Sequence, residues 1–148
     1  MPDIYIDADG CPVIEETLQA GEDFGFPVTL VCDTSHVFHY EKVVVLMADK
    51  GRDSTDFLLL SHVKKGDIVV TQDYGLAALV LSKEGHPISC SGIPYTQDNI
   101  NRLLTMRHTG SIERKHGNYG SHKKKRTQQE DDQFLEGLYM LCEMLLKK

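Results

Sequence analysis

Apolar and polar positions along the chain fall into short, dense apolar runs separated by stretches of helical spacing. IYID at Ile4–Asp7, PVTLVC at Pro27–Cys32, KVVVLM at Lys42–Met47 and DIVVT at Asp67–Thr71 are compact runs rich in β-branched residues, and each predicts a strand. Between them, Val13, Ile14, Leu18 and Phe24 recur at helical spacing up to Gly25. Pro12 suits the first turn of that helix, where a missing N–H costs nothing. Ser54–Val63 predicts a second helix with Phe57, Leu58 and Leu60 turned inward, broken by Gly66. Leu76–Lys83 predicts a third, ended by Gly85 and followed by a short strand at Pro87–Cys90. Thr96 caps a further helix carrying Asn101, Leu103, Leu104 and Met106. Gln129–Leu146 gives a last amphipathic helix with Phe134, Leu138, Leu141 and Leu145 on one face. His36–Glu41 and His108–Thr127 are poor in apolar residues and read as loops.

Strands alternating with helices predict an α/β fold of three layers, α/β/α, around a mainly parallel sheet. The Asp67–Thr71 run is apolar on both faces, as in a strand covered from both sides. With 148 residues and no internal repeat or linker, the chain reads as one domain, 1–148. Its last helix packs on its own sheet or pairs with a second copy, giving a monomer or a homodimer. No apolar stretch approaches the roughly 20 residues of a membrane helix. No basic segment precedes the first apolar run, as it does in a secretory signal. Cys11, Cys32, Cys90 and Cys142 are scattered without paired spacing, which argues against a zinc site and a disulfide framework. Reduced thiols in a cytoplasmic protein are the simplest reading.

Charge is unevenly spread. The net charge is −6, yet Arg102–Arg126 holds eight Lys/Arg against the single Glu113, which leaves −13 on the remainder. An acidic body therefore carries one basic arm, at about 108–127. The acids themselves gather after strands. Asp7 and Asp9 follow the first strand, Asp49, Asp53 and Asp56 the third, and Asp73 follows GDIVVT. In open α/β sheets the functional crevice lies outside the carboxyl ends of the strands. An Asp before a helix is commonly only an N-cap, and that reading stands for Asp53 and Asp56 taken singly. Asp7 and Asp9 together are different, because like charges a few Å apart are unfavourable unless one is protonated or a cation intervenes. One or two hard divalent cations, Mg²⁺ or Mn²⁺, held by Asp7 and Asp9 with Asp56 and Asp73 fit that need. Thr71, two residues before Asp73, either hydrogen-bonds a carboxylate or a metal-bound water or simply ends the strand. HExxH, GxSxG and phosphate-loop patterns are absent. His36 and His39 read as loop residues, and Cys11 as a small residue near a helix start.

IDADGCPV, GRDSTDFLLL, GDIVVTQDYGLAALVL and IPYTQDNINRLLTMR together resemble the YaiI/YqxD family of uncharacterised bacterial proteins. The family usually has DADACP where this chain has DADGCP, a change at Gly10 that keeps both acids. That family is usually grouped with PIN-like domains, which are metal-dependent nucleases. The resemblance implies a PIN-like fold in which Asp7, Asp56 and Asp73 are the catalytic acids. Thr71 would be the T of a T-x-D pattern, with Asp9 and Asp53 supplementary ligands.

The resulting expectation is metal-assisted phosphodiester hydrolysis, with RNA favoured over DNA as substrate. Arg107, Arg114, Lys115, Lys123, Lys124, Lys125 and Arg126 would neutralise backbone phosphates, with a solvated loop as the alternative. Tyr119, or Tyr74 beside Asp73, would stack on a base. Two rivals stand beside it. DADG also resembles the opening of haloacid-dehalogenase-type phosphatases, with Asp7 as nucleophile, although Cys11 replaces the usual Thr and the only late acid pair is Asp131-Asp132. The other rival is a non-catalytic RNA- or protein-binding module that keeps the acids as a structural ion site.

Overall fold

A computed structural model describes residues 1–9, 11–33, 43–49, 54–115 and 125–147, with the backbone alone at 107–115. The strands are Ile4–Asp7 (β1), Val28–Asp33 (β2), Val44–Ala48 (β3), Ile68–Val70 (β4) and His86–Ile88 (β5). The helices are Ile14–Phe24 (α1), Ser54–His62 (α2), Tyr74–Ser82 (α3), Gln97–Lys115 (α4) and Gln128–Leu146 (α5). Strand order is β3-β2-β1-β4-β5, and every strand pair is parallel. The expected loop His36–Glu41, with His36 and His39, lies outside the described residues.

The layers follow from the two-residue period of β1. Ile4 and Ile6 face one side of the sheet and Tyr5 the other. Ile4 joins Ile68, Val70 and Ile88 against Val13 and Ala20 near α1 and Phe134, Leu138, Leu141 and Leu145 of α5. Tyr5 joins Val31 and Val69 against Leu59 of α2 and Leu76 and Val80 of α3. Behind α3, Ala77 packs with Tyr95 and Ile100 at the start of α4. This is the three-layer α/β/α arrangement the strand and helix pattern predicts. The apolar face of α5 is used inside the chain, since Phe134, Leu138, Leu141 and Leu145 are all buried in the core. Among the described residues no helix is long and apolar enough to cross a membrane.

Two elements differ from their sequence expectation. In α2 the inward residues are Thr55 and Leu59, with Leu58 and Leu60 half-buried, whereas Phe57 is 69% exposed. Positions four apart share a helix face, so Thr55 and Leu59 align and Phe57 falls on the far side. Helix α4 continues through His108–Lys115, which the scarcity of apolar residues assigns to a loop. Helical backbone needs no apolar stripe of its own, and no proline stands between Gln97 and Lys115 to stop it.

Caps fix the helices that border the site. Thr96 accepts from the Asn99 N–H at 3.2 Å while Asn99 Oδ1 accepts from the Thr96 N–H at 2.9 Å. Thr127 and Glu130 form a capping box at α5. Helix α5 also meets the loop after β5 backbone to backbone. Gly92 has φ +82, and a Cβ on Gly137 would lie 2.0 Å from the Gly92 carbonyl oxygen. Arg126 donates to the Cys90 carbonyl in the same loop. The chain after β5 is thus pinned at two points, which holds one wall of the site described next.

Candidate metal centre

From β1 the chain passes to β2 and β3 on one side, then crosses to β4 and β5 on the other. The switch point therefore lies between β1 and β4, where open α/β sheets form their binding crevices. Register does the rest. Ile6 pairs with Val70, so Asp7 and Thr71 emerge side by side just beyond the last paired residues. Thr71 is 1% exposed and donates from Oγ1 to Asp7 Oδ2 at 2.8 Å. Thr71 Oγ1 in turn accepts from the Asp73 N–H at 3.0 Å. The Tyr95 hydroxyl donates to the Thr71 carbonyl at 3.1 Å. One buried threonine thus holds the Asp7 carboxylate and the Asp73 backbone, and the Tyr95 contact holds Thr71 itself.

Asp73 is the N-cap of α3, its Oδ1 accepting from the Leu76 N–H at 3.1 Å. Asp9 Oδ2 accepts from the Asp33 N–H at 3.0 Å, which ties it to the end of β2. Between these points lies a cavity of about 490 Å³, lined by Asp7, Asp9, Cys11, Gln72, Asp73, Tyr74 and Cys90. Its lining combines three carboxylates, two thiols, an amide and one aromatic ring.

Burial pushes the Asp7 carboxyl up from the ordinary 3.8 to about 6. The Thr71 hydrogen bond opposes that rise, while the charges of Asp56, Asp73 and Asp9 add to it. The thiols opposite also interact. The neighbouring thiols of Cys11 and Cys90 push each other apart in titration, the first upward and the second downward, and Gln72 and Arg126 further lower Cys90. All four cysteines are free. The donor set facing the cavity beside Asp7 is rich in hard carboxylate oxygens that repel one another, and a hard cation relieves that repulsion. Among the described residues no group of three or more His, Cys, Asp and Glu is placed to hold a metal ion.

Of the acids singled out in the sequence, Asp7, Asp9 and Asp73 share the cavity, and Thr71 sits beneath it. Asp56, in the first turn of α2, is off the cavity lining but its charge reaches Asp7. Asp53 lies outside the described residues, as do Tyr119, Lys123 and Lys124. The side chains of Arg107, Arg114 and Lys115 lie outside them too, although α4 carries their backbone. Lys125 is exposed. Arg126 is engaged within the fold, bonded to Asp131, to the Cys90 carbonyl and to the Glu130 carbonyl. Sequence reasoning did not assign Gln72 or Cys90 to the site. Gln72 was legible as the middle residue of TQD, and Cys90 follows β5, the neighbour of β4, so it leaves the sheet at the same edge.

The family description "Uncharacterized BCR, YaiI/YqxD family" matches residues 5–144 of the chain. That match covers nearly the whole fold, including every strand-end acid described above. The chain belongs to the YaiI/YqxD family. Relatives of this YaiI/YqxD protein include a UPF0178 protein of Exiguobacterium sibiricum, 45% identical over 88% of this chain and 90% of the relative. A UPF0178 protein of Alkaliphilus oremlandii is 42% identical over 97% of this chain and 94% of its own length. No solved structure matches the chain.

Proposed function

We propose that this YaiI/YqxD protein is a nuclease that hydrolyses phosphodiester bonds with Mg²⁺ or Mn²⁺, acting on RNA in preference to DNA. The observation that carries the reading is the convergence of Asp7, Asp9 and Asp73, from two strand ends, on one cavity beside a buried orienting threonine. Asp7 and Asp73 would hold the cation, with Asp9 and Asp56 adding negative potential around it. A hard cation of this kind keeps waters and substrate oxygens as its other ligands, so one or two carboxylates suffice. The chemistry it supplies is Lewis-acid assistance to attack by water and stabilisation of the departing oxygen.

The protein's own residues do the positioning. Thr71 holds Asp7 by one oxygen and holds the Asp73 backbone, so the two carboxylates keep a fixed relation as substrate arrives. Cation binding would favour ionised Asp7, offsetting burial and the like charges around it. Lys125, together with Arg107, Arg114, Lys115, Lys123 and Lys124, would contact phosphates along the strand. Arg126 has its structural bonds instead. The phosphatase alternative asks a late acid pair to serve the same cavity, but Asp131 is bonded to Arg126 and Asp132 accepts from Gln128, both at the start of α5.

The test is cleavage of labelled single-stranded RNA with Mn²⁺. Wild type should cleave, and Asp7→Asn and Asp73→Asn should each lose on the order of 100-fold or more in rate. A protein that instead hydrolyses a small phosphate monoester, and leaves RNA intact, overturns the proposal in favour of the phosphatase. RNA binding with no metal-dependent turnover overturns it in favour of a binding module.

A further inference from the structure

We propose that Tyr74 is the base-stacking wall of the cavity, so that the site takes an unpaired nucleotide whose phosphate lies at the acids and whose base lies on this ring. The proposal rests on the nuclease reading and names the form of substrate: a single strand with its base unpaired.

Three observations converge on Tyr74. The residue is half-buried and lines the same cavity as Asp7, Asp9 and Asp73. Its ring is braced edge-on by Tyr95, with centroids 6.0 Å apart and planes at 65°. Tyr95 is itself 5% exposed and bonded through its hydroxyl to the Thr71 carbonyl. The ring is therefore tied, through one buried tyrosine, to the threonine that orients Asp7. Its distance from the acids is set by the fold rather than by a flexible loop.

The chemistry of the neighbourhood fits one ligand class. A nucleotide carries a phosphate, which needs a cation to approach an acidic wall, and a flat π-system, which needs an apolar face. The cavity offers both within about 490 Å³. Stacking tolerates any base, because every base has a π-face, and it requires the base to be out of a duplex. Double-stranded substrate cannot satisfy the ring without unstacking, which explains a preference for single strands without any base-edge readout. Tyrosine suits this role because it presents a large rigid face with few rotatable bonds.

The decisive experiment separates stacking from mere packing. Binding of a short labelled single-stranded RNA is measured by fluorescence anisotropy on an Asp7→Asn background, which slows turnover, with Mn²⁺ in large enough excess to offset that variant's weakened cation affinity. The same strand with abasic sugars replacing its nucleotides is measured in parallel. Tyr74→Leu should weaken binding of the normal strand roughly tenfold or more and leave the abasic strand unchanged. Tyr74→Phe should retain the affinity, and thermal melting checks that each variant is folded. Equal effects of Tyr74→Leu on both strands, or no effect on either, overturn the stacking role. In that event Mn²⁺-dependent cleavage by wild type would show that the nuclease reading survives alone, and its absence would remove both.

Discussion

Ionising Asp7 in the absence of a cation places a charge in a buried position beside three other acids. Its carboxyl titrates near 6 in the fold against 3.8 ordinarily, so the folded state binds more protons than the unfolded chain between those values. Stability without divalent ions should therefore be full below about pH 4 and fall as pH rises through about 6. The displacement corresponds to roughly 3 kcal/mol at most. Asp7→Asn should abolish that slope and melt higher than wild type at pH 7 without metal, while losing cleavage. Thermal denaturation across pH checks both parts, and a variant less stable than wild type at pH 7 contradicts the electrostatic account. Thr71 adds a second test at this scale. Its hydroxyl lowers the Asp7 titration and holds the Asp73 N–H, so Thr71→Val should reduce Mn²⁺ affinity or cleavage about tenfold, as loss of an orienting partner does. Thr71→Ser, which keeps the hydroxyl, should restore most of it.

The elements show why sequence pattern carried some positions and not others. Strand β1 was legible because apolar residues on both faces leave a buried parallel strand few alternatives, and its end at Asp7 followed from the charge. The α5 face was legible because Phe134, Leu138, Leu141 and Leu145 keep helical spacing over three turns. Helix α2 was not, since FLLL is apolar around the cylinder and periodicity cannot choose a face. Phe57→Ser should accordingly shift unfolding by only about 0.5 kcal/mol, while Leu59→Ala, fully buried, should cost about 2–5 kcal/mol. Urea denaturation separates the two. The lock between α5 and the β5 loop was equally invisible, because a glycine's reason for being small lies in another segment. Gly137→Ala should cost about 1–3 kcal/mol, since the added methyl meets the Gly92 backbone rather than a flexible side chain.

At the scale of the whole molecule, topology does what no single motif could. DADG and TQD lie more than sixty residues apart, and only the crossing from β3 to β4 sets them next to each other. That convergence could be anticipated from the rule that crevices form at carboxyl ends, and Thr71, Gln72 and Tyr74 come with the TQDY motif, whereas the part played by the β5 end needed the strand order. Cys90 entered it because β5 neighbours β4, and Asp56 stayed off the lining although its field is felt there. The charge pattern leads to a separate expectation. A net −6 chain with a basic arm should bind nucleic acid through that arm, repelled elsewhere. Replacing Lys123, Lys124 and Lys125 by alanine should weaken single-stranded RNA binding and flatten the dependence of log affinity on log salt by about 2. An unchanged slope would remove the arm from the interface.

The central claim is that the acids at the switch point form a cation site, and direct measurement of Mn²⁺ binding by titration calorimetry addresses it without any assumption about substrate. Wild type should bind one or two ions near neutral pH, and Asp7→Asn and Asp73→Asn should each lose about tenfold or more in affinity. Equal Mn²⁺ binding by wild type and both variants, or none by any of them, would contradict the account.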